Sequence, residues 1–397
     1  MKINSPKLVI EINKFEMYIA VIDEIIENKF DLIFLNKTPI IGNQDKLINF
    51  ETIYNNLKKK LFLAEQKLNF IFKETVVIID SFEDSITNFS SFKKLNGSQL
   101  TKQNVTYMIN SLRSKIDEVE INKKVIHIFN SNYILDKKKI ENLPIGLFGN
   151  FYSQELNFFL INLKNYENLV KIFKKCNLRI KKIISKSFAE GVYLINENSN
   201  LNTFCRVELK ENYSKIFFFE NFSPKFIQEF NFGTNLIIND ISKITNLDNQ
   251  TVRNILGKSE FSNGNLSEID VEKQFFKESN FKKIKKKLII DIAEARIKEF
   301  AEIIIFQNIN TSIFIQKKIP FFLSIDDRKQ FKCLDKSYSF FFSQNNHFEL
   351  KFIDQSTKDK MYNHINTLVQ FGWKSEAVPV VKEKKSIIAR IFDLFFG

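Results

Sequence analysis

The side chains able to do chemistry are few and badly spaced for it. Three histidines, His127, His347 and His364, stand far apart. None has a metal-ligand spacing to a cysteine, an acidic residue or another histidine, so we expect no metal site. His127 lies in the strand-like "VIHIF" and reads as a packed or edge-strand histidine rather than a ligand. The three cysteines, Cys176, Cys205 and Cys333, form no C-x-x-C pair. Sparse and odd in number, they fit small core residues in a reducing cytoplasm. No G-x-S-x-G elbow occurs. The "GKS" at 257–259 has Val252 where a P-loop needs its first glycine; Gly257 reads instead as the residue just past a helix end. No catalytic residue emerges from these searches.

Two charged stretches remain. "FKKIKKKL" carries Lys282, Lys283, Lys285, Lys286 and Lys287. It can be a solvated helix face, a docking patch for an acidic partner or a nucleic-acid contact, and no stacking aromatics or known binding module accompany it to favour the last. The final "KKSIIARIFDLFFG" is amphipathic at about 100° per residue. Ser386, Ala389, Arg390 and Asp393 share one stripe; Ile387, Ile388, Ile391, Phe392, Leu394 and Phe395 fill the other side, with Phe396 beyond. Lys384, Lys385 and Arg390 supply positive charge. An apolar face with a basic flank describes a helix lying in a membrane interface; the bland alternative is a last helix folded onto the protein's own core.

The elements that position these residues come from periodicity. The chain has 397 residues, 44% of them apolar, enough for two packed units. Its net charge of +13 hints at anionic partners, but the crowding of Lys, Asn, Ile and Phe, with 44 Phe in all, is also what an AT-rich genome produces. No signal peptide is expected, and no apolar run approaches the ~20 residues of a membrane-spanning helix. "KLVIEINKFEMYIAVIDEII", "DLIFLNKT" and "ETVVIID" read as strands, with a helix over Phe50–Leu68. "TFCRVEL", "SKIFFFEN" and "KFIQEFNF", followed by the helix "LIINDISKITN", repeat the opening half a chain later. This predicts duplicated α/β domains. Between them Thr101 is placed to cap a helix in "QLTKQNVTYMINSLRSKI".

Several stretches together resemble the FtsA family of actin-like cell-division proteins. "GSQLTKQNVTYMI" is similar to the family's helix start, with Asn104 in place of its usual Asp. "KKVIHIFNSNYILDKKKIENLPIGLFGNFYSQELNFFLI" is the densest match, through His127, Tyr133, Asp136, Pro144, Gly146 and Leu156. Further matches run through Asn168, Leu169, Cys176, Ala189 and Gly191, then Gly233, Asn239, Asp240 and Ile241, then Glu294, Arg296 and Glu299. The resemblance implies an actin-like (ribonuclease H-like) α/β fold of two duplicated domains with an FtsA-type inserted subdomain. We expect the first domain over 1–72 and 157–195, the insert over 73–156, the second domain over 196–373, a tether over 374–383 and the membrane helix over 384–397.

The departures bear on chemistry. Only 10 glycines occur, roughly a third of the ~7% usual in proteins. Where the family has glycine-rich phosphate loops, this chain reads "EINK" (11–14), "ELKENYS" (208–214) and "SIDD" (324–327). Side chains replace the glycines that let backbone N–H groups meet phosphate. Glu11, Glu208 and Glu211 would repel a triphosphate, by about 4 kcal/mol per unit-charge pair at 4 Å and an effective dielectric near 20. The expectation is a pseudo-ATPase with no cofactor, although ATP with Mg²⁺ remains open through a remnant of Gly233, Thr234 and Asp240, with Lys14 or Lys210 replacing lost contacts.

As a member of the resembled family, the chain would be an adaptor tethering FtsZ polymers to the cytoplasmic face of the plasma membrane at the division site. Arg296 and Glu299 would contact FtsZ. Lys384, Lys385, Ile387, Ile388, Arg390, Ile391, Phe392, Leu394, Phe395 and Phe396 would bind anionic lipid. Self-association into polymers is expected and nucleic acid is not. The alternatives are a working, filament-forming ATPase and an actin-like scaffold of pilus assembly.

Overall fold

The structure is a computed structural model describing residues 5–26, 29–40, 48–258, 268–276, 281–311, 319–326, 328–343, 349–353 and 358–377. The chain divides into two units: Met1–Tyr193, Asn221–Lys225 and Tyr362–Gly397 in the first, Leu194–Glu220 and Phe226–Met361 in the second.

The first unit opens with β1 (Lys7–Ile12), β2 (Glu16–Ile26), β3 (Lys29–Pro39), α1 (Phe50–Leu68) and β4 (Glu74–Ile79). β1 runs antiparallel to β2 and parallel to β4. The helix expected over Phe50–Leu68 is present with those bounds. It starts where Asn49 Oδ1 accepts the Thr52 N–H at 3.0 Å, satisfying a donor the helix itself cannot. It ends where Asn69 turns left-handed at φ 48°. Ile53, Leu57, Leu61 and Ala64 recur at helical spacing and are buried, so one stripe faces the sheet.

After β4 the chain leaves to build a small antiparallel layer: β5 (Ser85–Lys94), α2 (Lys102–Val119), β6 (Lys123–Leu135), β7 (Lys138–Ile140) and β8 (Phe151–Asn162). Its sheet has the order β5-β8-β6-β7. Thr101 caps α2, its hydroxyl accepting the Asn104 N–H at 3.2 Å. Val105, Met108, Leu112 and Ile116 of α2 bury against Leu156, Phe158 and Leu160 of β8. The chain returns through α3 (Leu163–Lys175), β9 (Arg179–Ser185) and α4 (Lys186–Glu197). The sheet order β3-β2-β1-β4-β9 results.

The second unit repeats this plan with β10 (Phe204–Leu209), β11 (Ser214–Glu220), β12 (Ser223–Phe230, of which Phe226–Phe230 belong to this unit), α5 (Asn235–Thr245), α6 (Asn249–Lys258), α7 (Lys286–Ala301), β13 (Phe321–Ile325), a helix at Asp335–Phe342 and β14 (Leu350–Phe352). The order is β12-β11-β10-β13-β14, with β10 antiparallel to β11 and parallel to β13. Val207, Leu209, Ile216 and Phe218 pack with Ile237, Ile241, Ala293 and Ile297. The expected duplication is therefore an observed one.

Several boundaries differ from expectation. β4, inside the expected insert of 73–156, pairs with β1 in the first sheet, and β8 carries the insert's sheet on to Asn162. Residues 221–225 and 362–373, expected in the second domain, go with the first unit. The Trp373 indole N–H donates to Phe222 O at 2.8 Å, which ties the two pieces together. Gly257 lies inside α6 rather than past its end. Of the expected tether 374–383, Lys374–Ala377 are described and packed. Phe129 and Glu376 form an antiparallel bridge. The Asn130 N–H donates to Ser375 O, and the Ala377 N–H to Ile128 O, each at 2.7 Å. Residues 378–397, with the expected membrane helix, lie outside the described residues.

Candidate functional site

In each unit chemistry-bearing residues meet where two parallel strands end. In the first unit Glu11 is the fifth residue of β1, and Asp80 directly follows β4. The Asp80 N–H donates to Ile12 O at 3.0 Å, which holds the two strand ends level. β9 lies beside β4 with Ser185 opposite Ile79, so Lys186, the next residue, arrives at the same place. Its ammonium lies 3.2 Å from Glu11 Oε1 and 3.6 Å from Asp80 Oδ2. The Tyr362 hydroxyl donates to Glu11 Oε2 at 3.1 Å. Burial, reinforced by the Glu11 charge, pushes that phenol well above its ordinary pKa.

The hairpin from β1 to β2 closes on itself. Asn13 Oδ1 accepts from the Phe15 and Glu16 N–H groups, both at 2.7 Å. The Asn13 N–H donates to Glu16 O at 3.0 Å. An asparagine turn of this kind closes the hairpin without a glycine. It also occupies backbone donors that a phosphate loop leaves open.

The second unit has the same frame. Glu208 is the fifth residue of β10, Asp326 directly follows β13, and the Asp326 N–H donates to Leu209 O at 3.0 Å. Here the ammonium comes from the hairpin itself: Lys210 Nζ lies 2.7 Å from Glu208 Oε1 and 3.0 Å from Asp326 Oδ1. Arg206 adds a second positive group, 3.6 Å from Glu208. Glu11 and Glu208 are the residues expected to repel a triphosphate. Each is buried with a lysine in contact, because a carboxylate inside the fold must be paired. Glu211 is half exposed, 3.8 Å from Arg253.

Gly233 and Thr234 sit against this second hairpin. The Thr234 N–H donates to Lys210 O at 2.9 Å and the Asn235 N–H to Glu211 O at 3.0 Å. The first N–H groups of α5, a natural anion seat, are thus taken by loop carbonyls. Asp240 is not with them. It accepts from Arg296 Nε at 2.5 Å, and Arg296 Nη1 also binds Glu299 at 2.5 Å. One expected nucleotide residue therefore joins the two expected FtsZ-contact residues in a single cluster joining α5 and α7. The lysine run is mostly engaged at home: Lys285 with Asp270 at 3.0 Å, buried Lys286 with Glu272 at 2.6 Å, Lys287 with Asp291 at 2.8 Å. Lys14 lies in the turn between β1 and β2; Lys186 is not legible in the sequence because it reaches Glu11 from 175 positions away through β9 and α4.

His127 is fully buried and forms a second polar centre in the first unit. Its Nδ1 lies 2.9 Å from Glu376 Oε1, while the Ser185 N–H donates to Nε2 at 3.4 Å. Lys182 Nζ binds Glu376 Oε2 at 3.0 Å. Burial lowers the His127 pKa, so the ring is neutral and donates Nδ1–H to the carboxylate. Burial pushes Glu376 up, but the His127 hydrogen bond and Lys182 outweigh it and hold that carboxyl at about 2. Among the described residues no cluster of His, Cys, Asp and Glu suited to a metal ion occurs, and no helix is long and apolar enough to cross a membrane.

Two α/β units with one sheet order and a small antiparallel insert define the class: the chain has the actin-like ATPase fold. Among solved structures it is similar to the PilM-PilN type IV pilus biogenesis complex, with TM-score 0.54 and 10% identity over 93% of this chain and 97% of that one. It also aligns with the ethanolamine utilization protein EutJ from Carboxydothermus hydrogenoformans, with TM-score 0.43 and 8% identity over 94% and 90%. In sequence it is similar to the cell division protein FtsA of Buchnera aphidicola subsp. Baizongia pistaciae (strain Bp), 20% identical over 250 residues, 62% of this chain. The match spans 59% of the length of that relative. No family model matches the chain.

Proposed function

We propose that this chain is a cell-division adaptor that carries FtsZ polymers to the cytoplasmic face of the plasma membrane without turning over ATP. The observation that carries the non-hydrolysing part is the state of the two hairpins: their backbone donors bind Asn13 and Glu16 in one unit, and the helix start beside the other binds Lys210 and Glu211 carbonyls. A triphosphate has few donors left to meet it. The similarity to FtsA supports the cell-division setting, and the amphipathic 384–397 segment supports membrane attachment. Attachment by one copy would be weak and reversible, and self-association would multiply it by avidity.

The test is flotation of FtsZ with anionic liposomes, comparing the full chain with a version ending at Lys382. FtsZ is expected to float with the full chain alone. If the full chain floats and FtsZ stays behind, the FtsZ assignment fails. If neither floats, a scaffold of the pilus-assembly kind takes its place. Two measurements test the other half: a micromolar dissociation constant for Mg-ATP in calorimetric titration overturns the reading of weak or no ATP binding, and phosphate release above background overturns the non-hydrolysing reading in favour of a filament-forming ATPase.

Arg296→Glu is expected to weaken FtsZ binding at least tenfold, since the FtsZ-contact surface is read through Arg296 and Glu299. The guanidinium also holds Asp240, so the melting temperature is measured alongside. Unchanged affinity in a folded variant removes Arg296 from the contact.

A further inference from the structure

The two strand-end clusters are the same device built twice from different parts. Both use a glutamate at the fifth position of a six-residue strand and an aspartate just past the neighbouring parallel strand. Both aspartates donate their N–H to the residue after the glutamate. Both hairpins have the same length, with Ile12 opposite Met17 and Leu209 opposite Ser214. The source of the ammonium differs, and the second frame alone also carries Arg206, 3.6 Å from Glu208. Lys210 occupies the hairpin position that Asn13 occupies in the first unit, and there Lys186 comes from the start of α4 instead. Two unrelated positions delivering one cation to one carboxylate frame point to a shared requirement rather than to inheritance of a single lysine.

We propose that Lys186 and Lys210 are built-in counter-ions, each standing where a bound cation would bridge the two strand-end carboxylates of its unit. The ammonium makes each unit complete without any ligand. Two carboxylates this close to one centre repel unless a positive charge lies between them, and a buried pair that loses one partner leaves an uncompensated charge. The inference deepens the non-hydrolysing reading and rests on it for the claim that no metal-bound polyphosphate needs to enter. The corollary is chemical: without its ammonium the first frame becomes a pair of oxygen donors open to a hard divalent cation, while the second keeps the Arg206 guanidinium beside Glu208.

The experiment compares the full chain with Lys186→Met, Lys210→Met and the charge-balanced pairs Glu11→Gln/Lys186→Met and Glu208→Gln/Lys210→Met. Melting temperature and Mn²⁺ binding by electron paramagnetic resonance are read without nucleotide. Lys186→Met is expected to melt roughly 10 °C lower, to regain part of that loss with millimolar MnCl₂, and to bind Mn²⁺; Lys210→Met is expected to show the same responses more weakly, because Arg206 stays beside Glu208. The unaltered chain should show neither response, and each double variant should recover at least half of the loss while staying silent to Mn²⁺. Single variants as stable as the unaltered chain, or an unaltered chain that binds Mn²⁺ as they do, overturn the proposal. If a single variant does not fold, its double variant decides: folded and silent supports the counter-ion, equally unfolded overturns it. Phosphate release from Mg-ATP above background by an unaltered chain still silent to Mn²⁺ alone defeats the non-hydrolysing reading and supports the counter-ion assignment.

Discussion

Gly233→Val lowers the melting temperature of the second unit by roughly 8–12 °C. A Cβ at this position would lie 2.1 Å from Lys210 O and 2.6 Å from Glu211 O. Both are backbone atoms of the hairpin, so no side chain can swing aside. Either the hairpin or the first turn of α5 has to move. Movement breaks the Thr234 and Asn235 donations to those carbonyls and shifts Lys210, which neutralises Glu208 and Asp326. Overpacking together with loss of a buried pair costs about 3–5 kcal/mol, and about 2–4 °C accompanies each kcal/mol in a domain of this size. Differential scanning fluorimetry on the full chain reads the change. A variant that melts within 2 °C of the unaltered chain would mean the hairpin is not held where we find it. The glycine thus has a reason to be there that concerns close backbone approach rather than nucleotide.

Acid loosens the segment Trp373–Ala377 in two stages. His127 is neutral in the folded protein, and its pKa is lowered by burial. The unfolded chain therefore binds a proton that the folded chain does not as pH falls below about 6.5, and stability declines from there. Glu376 has the opposite charge but the same direction. Its folded pKa, about 2, lies below the unfolded value, so its contribution is complete above about 4.5 and drains away toward pH 2. The shift corresponds to about 3 kcal/mol at neutral pH. Hydrogen exchange at the Asn130 and Ala377 amides, which donate into and out of this bridge, is expected to accelerate as pH falls once intrinsic rates are divided out. Glu376→Gln keeps an acceptor for His127 but loses the charge facing Lys182; it should lower stability at pH 7 and flatten the limb below pH 4.5. A limb of the same depth in the variant would exclude Glu376 as its source.

Much of the fold was legible because it is local. The alternation and buried runs of β1, β2, β10 and β11, the helical stripe of α1 and the Thr101 cap all follow from residues within a few positions of one another. So does the duplication, since it repeats a local pattern. β5 is not legible for a local reason too: "SITNFSSFKK" alternates between half-buried and exposed side chains at a sheet edge, and its small polar residues carry little apolar signal. The segment Lys374–Ala377 read as tether because its composition is polar. It is ordered by partners some 245 positions away on β6, together with Phe222.

The site divides along the same line. The sequence by itself determined that the phosphate loops lack glycine and that charged residues stand in their place, because residue type is enough to say whether a backbone can wrap an anion. Only the tertiary structure decided what those charges do. Glu11, Asp80 and Lys186 come from three separate stretches and meet because parallel strands end level and β9 delivers α4 beside them. Asp240 likewise left the expected nucleotide remnant for Arg296, since a helix carries a residue away from its N-terminus by 1.5 Å per position and α7 supplies the nearer partner. Electrostatic pairing inside a fold depends on distance in space, and a sequence records distance only along the chain.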